Sequence, residues 1–84
     1  MEKQNLRDAV TAIVARQLNR AIEDCRPGAD IVQDLGGDAL DVLEIGMAIE
    51  ERFGIDLRDD EFAGGFKTID DIVGILRDLS RDAA

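Results

Sequence analysis

With 84 residues the chain has room for one small core and none for a separate catalytic lobe, so we predict a single domain over residues 1–84. A content of 45% hydrophobic and 35% charged residues is typical of a folded domain and disfavours a disordered chain. The net charge of −9 disfavours binding to nucleic acids and anionic membranes, and no apolar run approaches the roughly 18 residues of a membrane span.

The first predicted element is a helix over about residues 3 to 24, ended by Pro27-Gly28. The opening residues, Met1-Glu2-Lys3-Gln4-Asn5, contain no apolar segment of signal-peptide type, so we expect a cytoplasmic protein. A stripe at steps of three and four runs along the helix through Leu6, Val10, Ile13, Val14, Gln17/Leu18 and Ala21/Ile22. Cys25 is the single cysteine and the chain has no histidine to activate it, which favours a semi-buried thiol at the helix end over a catalytic one.

A long polar connection, with Ile31, Val32 and Leu35 as apolar anchors, leads to the second predicted helix. Gly36-Gly37 allow backbone angles that a side chain would forbid. Asp38 is then a good N-cap, and Asp41 stands where a capping box places its acid. The helix runs through four apolar positions toward Phe53 and ends at Gly54; these positions are Leu40, Leu43, Met47 and Ile49.

The last third predicts one short and one longer helix. Residues 59–63 have length for a turn or two before Gly64-Gly65 interrupts. Thr68 and Asp71 give a second capping-box start, after which Ile69, Ile72, Val73, Leu76 and Leu79 form an apolar stripe. Residues 80–84 form a tail that we expect to fray. No strand-like alternation occurs, so the prediction is an all-α four-helix bundle with three longer helices, one short helix and a long first loop.

The acidic charge is concentrated in the middle of the chain. Residues 30–61 contain eleven acidic and two basic residues and so account for the whole net charge of −9. Such a segment attracts a basic protein partner at long range. The alternative is a solvated acidic face that only keeps the protein soluble. Its location around Asp38 favours the partner.

The stretch Asp34-Leu35-Gly36-Gly37-Asp38-Ala39-Leu40-Asp41 resembles the modification motif of acyl carrier proteins. In that family the motif reads Asp-Leu-Gly-x-Asp-Ser-Leu, and the serine hydroxyl carries a 4'-phosphopantetheine arm. The resemblance extends from about Leu6 to Leu79 and includes Glu44, Met47-Ala48-Ile49-Glu50-Glu51 and Phe53-Gly54-Ile55. It implies the acyl carrier fold, a helical bundle.

The resemblance also implies a function. A phosphopantetheinyl transferase moves the arm from coenzyme A to the serine, and the arm's thiol then holds acyl-type cargo as a thioester for cargo-loading and cargo-using enzymes. Partner enzymes with basic docking surfaces are expected to contact Asp38, Leu40, Asp41, Glu44, Met47 and Glu51. Five of these residues have a plainer interpretation: Asp38 as a cap, Leu40 and Met47 as core residues, and Glu44 and Glu51 as solvated side chains.

The chain departs from the family at Ala39, which occupies the serine position and has no oxygen for a phosphodiester bond. Alanine at a first helical position costs the fold little. Two histories would give it: a deliberate serine-to-alanine substitution, which the otherwise intact recognition surface favours, or a natural carrier-like protein that has lost its arm. A second departure is Gly46, where relatives usually have an apolar residue; a glycine within a helix costs roughly 1 kcal/mol relative to alanine.

Other function classes fit less well. The chain contains neither histidine nor tyrosine, so we predict a non-catalytic protein. A calcium loop that starts at Asp34 would need glycine where Ala39 stands and glutamate where Ile45 stands, and no metal site is predicted. The serious rival is an armless module that docks on a basic partner. We expect a stand-alone monomer; its cargo, whether fatty acyl, polyketide, hydroxyacyl or aminoacyl, stays open.

Overall fold

The protein is described by a computed structural model that covers residues 2–55 and 66–83. Three α-helices form in these ranges: α1 (Glu2–Leu18), α2 (Ala39–Phe53) and α3 (Ile69–Ala83), with a short 3-10 turn at Ile22–Asp24. The only β-type pairing in the described ranges is one isolated antiparallel bridge between Asp30 and Thr68. The predicted all-α class is therefore confirmed, whereas the short helix predicted at 59–63 lies outside the described residues.

Helix α1 ends earlier than predicted. It stops at Leu18, because Asn19 adopts a left-handed backbone with φ of 56°. The N–H of Arg20 donates to the Ala15 carbonyl at 2.9 Å and that of Asn19 donates to Arg16 at 3.3 Å, which is the Schellman pattern of helix termination. The predicted continuation of the helix to residue 24 was therefore wrong. The prediction relied on the apolar spacing, which continues to Ile22, but the Ile22 side chain is 60% exposed and is not part of the buried face.

The core lies where α1 packs against both α2 and α3. Branched side chains dominate it, and the following are fully buried: Val10 and Val14 of α1, Ile45 and Ile49 of α2, and Ile69 and Ile72 of α3. Ile31 of the first connection adds a further fully buried side chain. Each helix therefore buries one apolar face. In α2 that face is not the predicted one, because of the four predicted apolar positions only Ile49 is buried, whereas Leu40, Leu43 and Met47 are exposed.

The long first connection is tied to the start of α3. The N–H of Ile31 donates to the Lys67 carbonyl at 2.7 Å, and the N–H of Asp70 donates to the Pro27 carbonyl at 3.0 Å. Ile31 and Leu35 are buried as predicted, but Val32 is 47% exposed and is not an anchor. The connection is thus held in a defined position before it enters α2.

The first connection is also braced by its own carboxylates. Asp30 accepts hydrogen bonds from the N–H groups of Val32 at 2.9 Å and Gln33 at 2.8 Å, and Asp34 accepts one from the N–H of Asp30 at 2.8 Å. Such side-chain turns satisfy backbone groups that have no helical partner.

Of the helices in the described part of the chain, none combines the length and apolar character needed to cross a membrane.

Candidate functional site

Two glycines bring the first connection to the start of α2. Gly36 has φ of 80°, a left-handed conformation that side chains disfavour. Gly37 is buried, and a Cβ atom there would lie 3.1 Å from the Ile31 carbonyl oxygen and 3.1 Å from a Leu18 methyl carbon. The chain therefore passes against the last residue of α1 at a distance that only glycine permits without displacement of its neighbours.

A reciprocal capping box starts α2. Asp38 Oδ1 accepts the N–H of Asp41 at 2.9 Å, and Asp41 Oδ2 accepts the N–H of Asp38 at 3.1 Å. This confirms the predicted cap. Ala39 is the first residue of the helix, and its side chain is exposed. A side chain at position 39 thus stands in solvent at the positive end of the helix dipole.

The exposed face of α2 carries an apolar stripe formed by Leu40, Leu43 and Met47. These side chains are 60%, 59% and 59% exposed, whereas Ile45, Gly46 and Ile49 are buried on the opposite face. Leu40 and Met47 are therefore surface residues and not core residues. Carboxylates flank the α2 apolar stripe: Asp38, Glu44 and Glu51 are exposed and Asp41 is half-buried.

Sequence reasoning missed one member of this site, Gln17. From α1 its Nε2 donates to Asp41 Oδ1 at 3.0 Å and to Glu44 Oε1 at 2.6 Å. The hydrogen bond from Gln17, together with that from the Asp38 N–H, holds the pKa of Asp41 below its ordinary value. The only sequence signal was a polar residue at an apolar position of the α1 stripe, which does not identify a partner.

Gly46 and Cys25 both lie in the interior. Gly46 is on the buried side of α2, between Ile45 and Ile49. Cys25 directly follows the 3-10 turn and is only 3% exposed, so it is more buried than predicted, and burial raises the pKa of its thiol. Among the described residues, no group of three or more acidic, histidine or cysteine side chains is arranged to hold a metal ion.

Comparison with known proteins shows to which family the chain belongs. Residues 8–76 match the family described as "Phosphopantetheine attachment site". The acyl carrier protein of Helicobacter pylori (strain G27) is 39% identical over 69 residues, which cover 82% of this chain and 87% of that protein. The acyl carrier protein of Thermosynechococcus vestitus is 38% identical over 76 residues, which cover 90% of this chain and 93% of that protein. The chain belongs to the acyl carrier protein family.

Membership of the acyl carrier protein family confirms three of the predictions made from sequence: the resemblance itself, the all-α carrier fold and the absence of enzymatic activity. Acyl carrier proteins are non-catalytic carriers that use 4'-phosphopantetheine and interact with the enzymes that modify them or use their cargo. The matched range 8–76 includes the whole of α2, the capping box and Gln17.

Proposed function

We propose that the serine-bearing form of this chain carries acyl-type cargo as a thioester on a 4'-phosphopantetheine arm at position 39 and presents it to biosynthetic enzymes. The observation that carries the proposal is the position of Ala39, which is exposed, is the first residue of α2 and directly follows Asp38, the N-cap of that helix. In the chain as it stands, the methyl group of Ala39 has no oxygen for a phosphodiester, so this form stays unmodified.

The start of α2 suits an attached phosphate. The N–H groups of a first helical turn have no carbonyl partner within the helix, and the dipole adds a partial positive charge. Both favour an anion at this end. The capping box occupies the N–H groups of Asp38 and Asp41 and so fixes the turn on which a serine hydroxyl would stand.

We infer that partner enzymes dock on the face of α2 next to position 39. The docking surface is formed by Asp38, Leu40, Asp41, Glu44, Met47 and Glu51. Exposed leucine and methionine side chains supply apolar area, and the carboxylates around them attract Lys and Arg side chains. The phosphopantetheinyl transferase and the cargo-loading and cargo-using enzymes are the partners expected, each with a basic surface.

Ala39 removes chemistry and spares structure. The capping contacts of Asp38 and Asp41 do not involve the side chain of residue 39, so either alanine or serine fits there. Both histories of Ala39 are compatible with this fit, and the otherwise intact recognition surface on α2 favours a deliberate serine-to-alanine substitution in a working carrier. The cargo class is left open to fatty acyl, polyketide, hydroxyacyl or aminoacyl groups.

A second candidate function is a natural armless module that docks on a basic partner without carrying cargo. The exposed α2 apolar stripe and its flanking carboxylates favour it, since neither feature needs an arm. The two candidate functions predict different behaviour once a hydroxyl group is present at position 39, because only the carrier would receive an arm there.

The deciding experiment restores that hydroxyl. The Ala39 protein and the Ala39→Ser variant are incubated with coenzyme A, magnesium and a broad-specificity phosphopantetheinyl transferase, and intact masses are then measured. We expect one arm on the Ala39→Ser protein and none on the Ala39 protein, in which Ser80 serves as an internal control for unspecific modification. If both proteins are folded by circular dichroism and neither gains an arm, the carrier proposal is wrong and the armless module is favoured.

A further inference from the structure

Gln17 joins the end of α1 to the acidic side of α2. Its Nε2 donates to one oxygen of Asp41 at 3.0 Å and to one oxygen of Glu44 at 2.6 Å. We propose that Gln17 is a positioning residue of the docking surface, whose amide holds these two carboxylates together so that a basic side chain of a partner meets two ordered acceptors. The proposal rests on the proposed function, since it requires partners that dock on α2.

The neutrality of the amide matters for this role. Asp41 and Glu44 are three residues apart on one helix face, where like charges repel each other. A Lys or Arg side chain at position 17 would also bridge them, but it would cancel one of the two negative charges. Gln17 donates to both carboxylates and leaves their full charge for the partner.

Asp41 is held from two sides. Its Oδ2 accepts the N–H of Asp38 within the capping box at 3.1 Å, while its Oδ1 accepts the Gln17 amide at 3.0 Å. Both bonds favour the ionised carboxylate, in agreement with its lowered pKa. An acceptor that is already fixed loses less side-chain entropy when a partner binds. The contribution of Gln17 is therefore order in a surface whose charge comes from α2.

Gln17 lies in a part of α1 that contacts both the first connection and α2. It is half-buried in the last turn of α1, next to Leu18, whose methyl carbon lies against Gly37. The same turn of α1 thus sets both the loop that precedes position 39 and the carboxylates that follow it. A substitution at Gln17 that keeps the packing but removes the donor separates these two effects.

The test compares Gln17→Met, which keeps the length of the side chain and removes the donor, with Gln33→Met as a matched control on the exposed first connection. The pKa of the Asp41 carboxyl is measured by NMR titration in the Ala39 protein. The kcat/KM of arm addition is measured in the Ala39→Ser background, and circular dichroism monitors folding. Gln17→Lys is the second variant, which keeps donors and cancels one negative charge.

We expect Gln17→Met to raise the pKa of Asp41 toward its ordinary value and to lower kcat/KM roughly two- to tenfold, mainly through KM, as loss of a hydrogen bond implies. Gln33→Met should change neither. Gln17→Lys should keep the pKa of Asp41 low and still lower kcat/KM, because one charge is cancelled.

Two results overturn the proposal in different ways. An unchanged pKa of Asp41 or an unchanged kcat/KM in folded Gln17→Met, with an active Ala39→Ser parent, overturns the positioning role alone. Absence of arm addition to the Ala39→Ser protein with Gln17 intact overturns the proposed function, and the role of Gln17 in docking with it.

Discussion

At the scale of single residues, the site depends on close contacts that only certain side chains permit. Gly37 is the clearest case, because its missing Cβ lets the chain pass against the Ile31 carbonyl and Leu18. The Ile31 carbonyl is backbone and is itself held in the fold, since Ile31 is fully buried. A methyl group at position 37 therefore has to displace structure that other contacts fix.

We predict that Gly37→Ala lowers the free energy of unfolding by roughly 1–3 kcal/mol, the range for overpacking a filled site. The matched control is Gly28→Ala, since a Cβ there meets nothing within 4 Å and the backbone is not left-handed. That control should be neutral or stabilise by roughly 0.4–1 kcal/mol through the unfolded chain. Urea unfolding of the three proteins measures both effects. Equal stability of the two variants would contradict the argument from Gly37 packing.

At the scale of elements, the helix starts could be predicted and one helix end could not. The capping boxes at Asp38 and Thr68 are local in sequence, with donor and acceptor within three residues, so the order of the amino acids alone reveals their patterns. The end of α1 at Leu18 depends on the left-handed backbone of Asn19, which the surrounding fold selects from several possibilities. The apolar spacing continues beyond Leu18, so it does not indicate where the helix ends.

Contacts between elements could not be predicted from the sequence either. Gln17 lies 24 and 27 residues before its two acceptors, and nothing local to either helix indicates that pairing. The exposed placement of Leu40 and Met47 came from the family resemblance, while apolar periodicity alone fitted a core position equally well. Periodicity thus predicts that a helix forms, whereas the orientation of each face depends on what packs against it.

The two capping boxes also predict a pH dependence. Asp41 and Asp71 both have a pKa below the ordinary 3.8, with hydrogen bonds from Gln17 and from the Lys67 N–H respectively as the leading causes. A carboxyl group with a lowered folded-state pKa stabilises the fold above its unfolded pKa, and that contribution is lost as pH falls through the folded pKa. The stabilising contribution of these two carboxylates should therefore be lost as pH is lowered from about 5 to 3, against the relief of charge repulsion in the acidic segment over the same range.

We predict that Asp71→Asn reduces the free energy of unfolding at pH 7 and flattens this acid decline. The reason is that the amide keeps the shape of the side chain but loses the ionised acceptor for the Lys67 and Thr68 N–H groups. Asp8→Asn, at an exposed position of α1, serves as the charge-matched control. Urea unfolding at several pH values checks the prediction. An acid decline as steep in Asp71→Asn as in the parent would count against the capping contribution.

At the scale of the whole molecule, charge is distributed unevenly. The net charge of −9 is carried by residues 30–61, which include all of α2, while the rest of the chain is balanced. A high net charge opposes the compact state through self-repulsion, and salt screens that repulsion. The carboxylates that suit α2 for basic partners should therefore weaken the isolated fold.

We predict that the melting temperature rises when sodium chloride is increased from low to about 0.15 M, where screening acts beyond roughly 8 Å. Replacement of two exposed carboxylates by Glu44→Gln and Glu51→Gln should make this salt-induced rise smaller. The matched control is Asp8→Asn with Asp78→Asn, which removes two exposed carboxylates outside the acidic segment. Thermal unfolding followed by circular dichroism measures each protein. If both double variants keep the full salt effect, repulsion within the acidic segment is not its source.

The hydrogen bonds that tie the first connection to α3 have a consequence for local unfolding. Ile31 donates its N–H to the Lys67 carbonyl, and the Pro27 carbonyl accepts the N–H of Asp70, so two points of the first connection are fixed by the start of the last helix. Opening of that helix would break both bonds and leave the connection held by its own side-chain turns. The last helix thus steadies the segment that leads to position 39, although it supplies no residue to the docking surface.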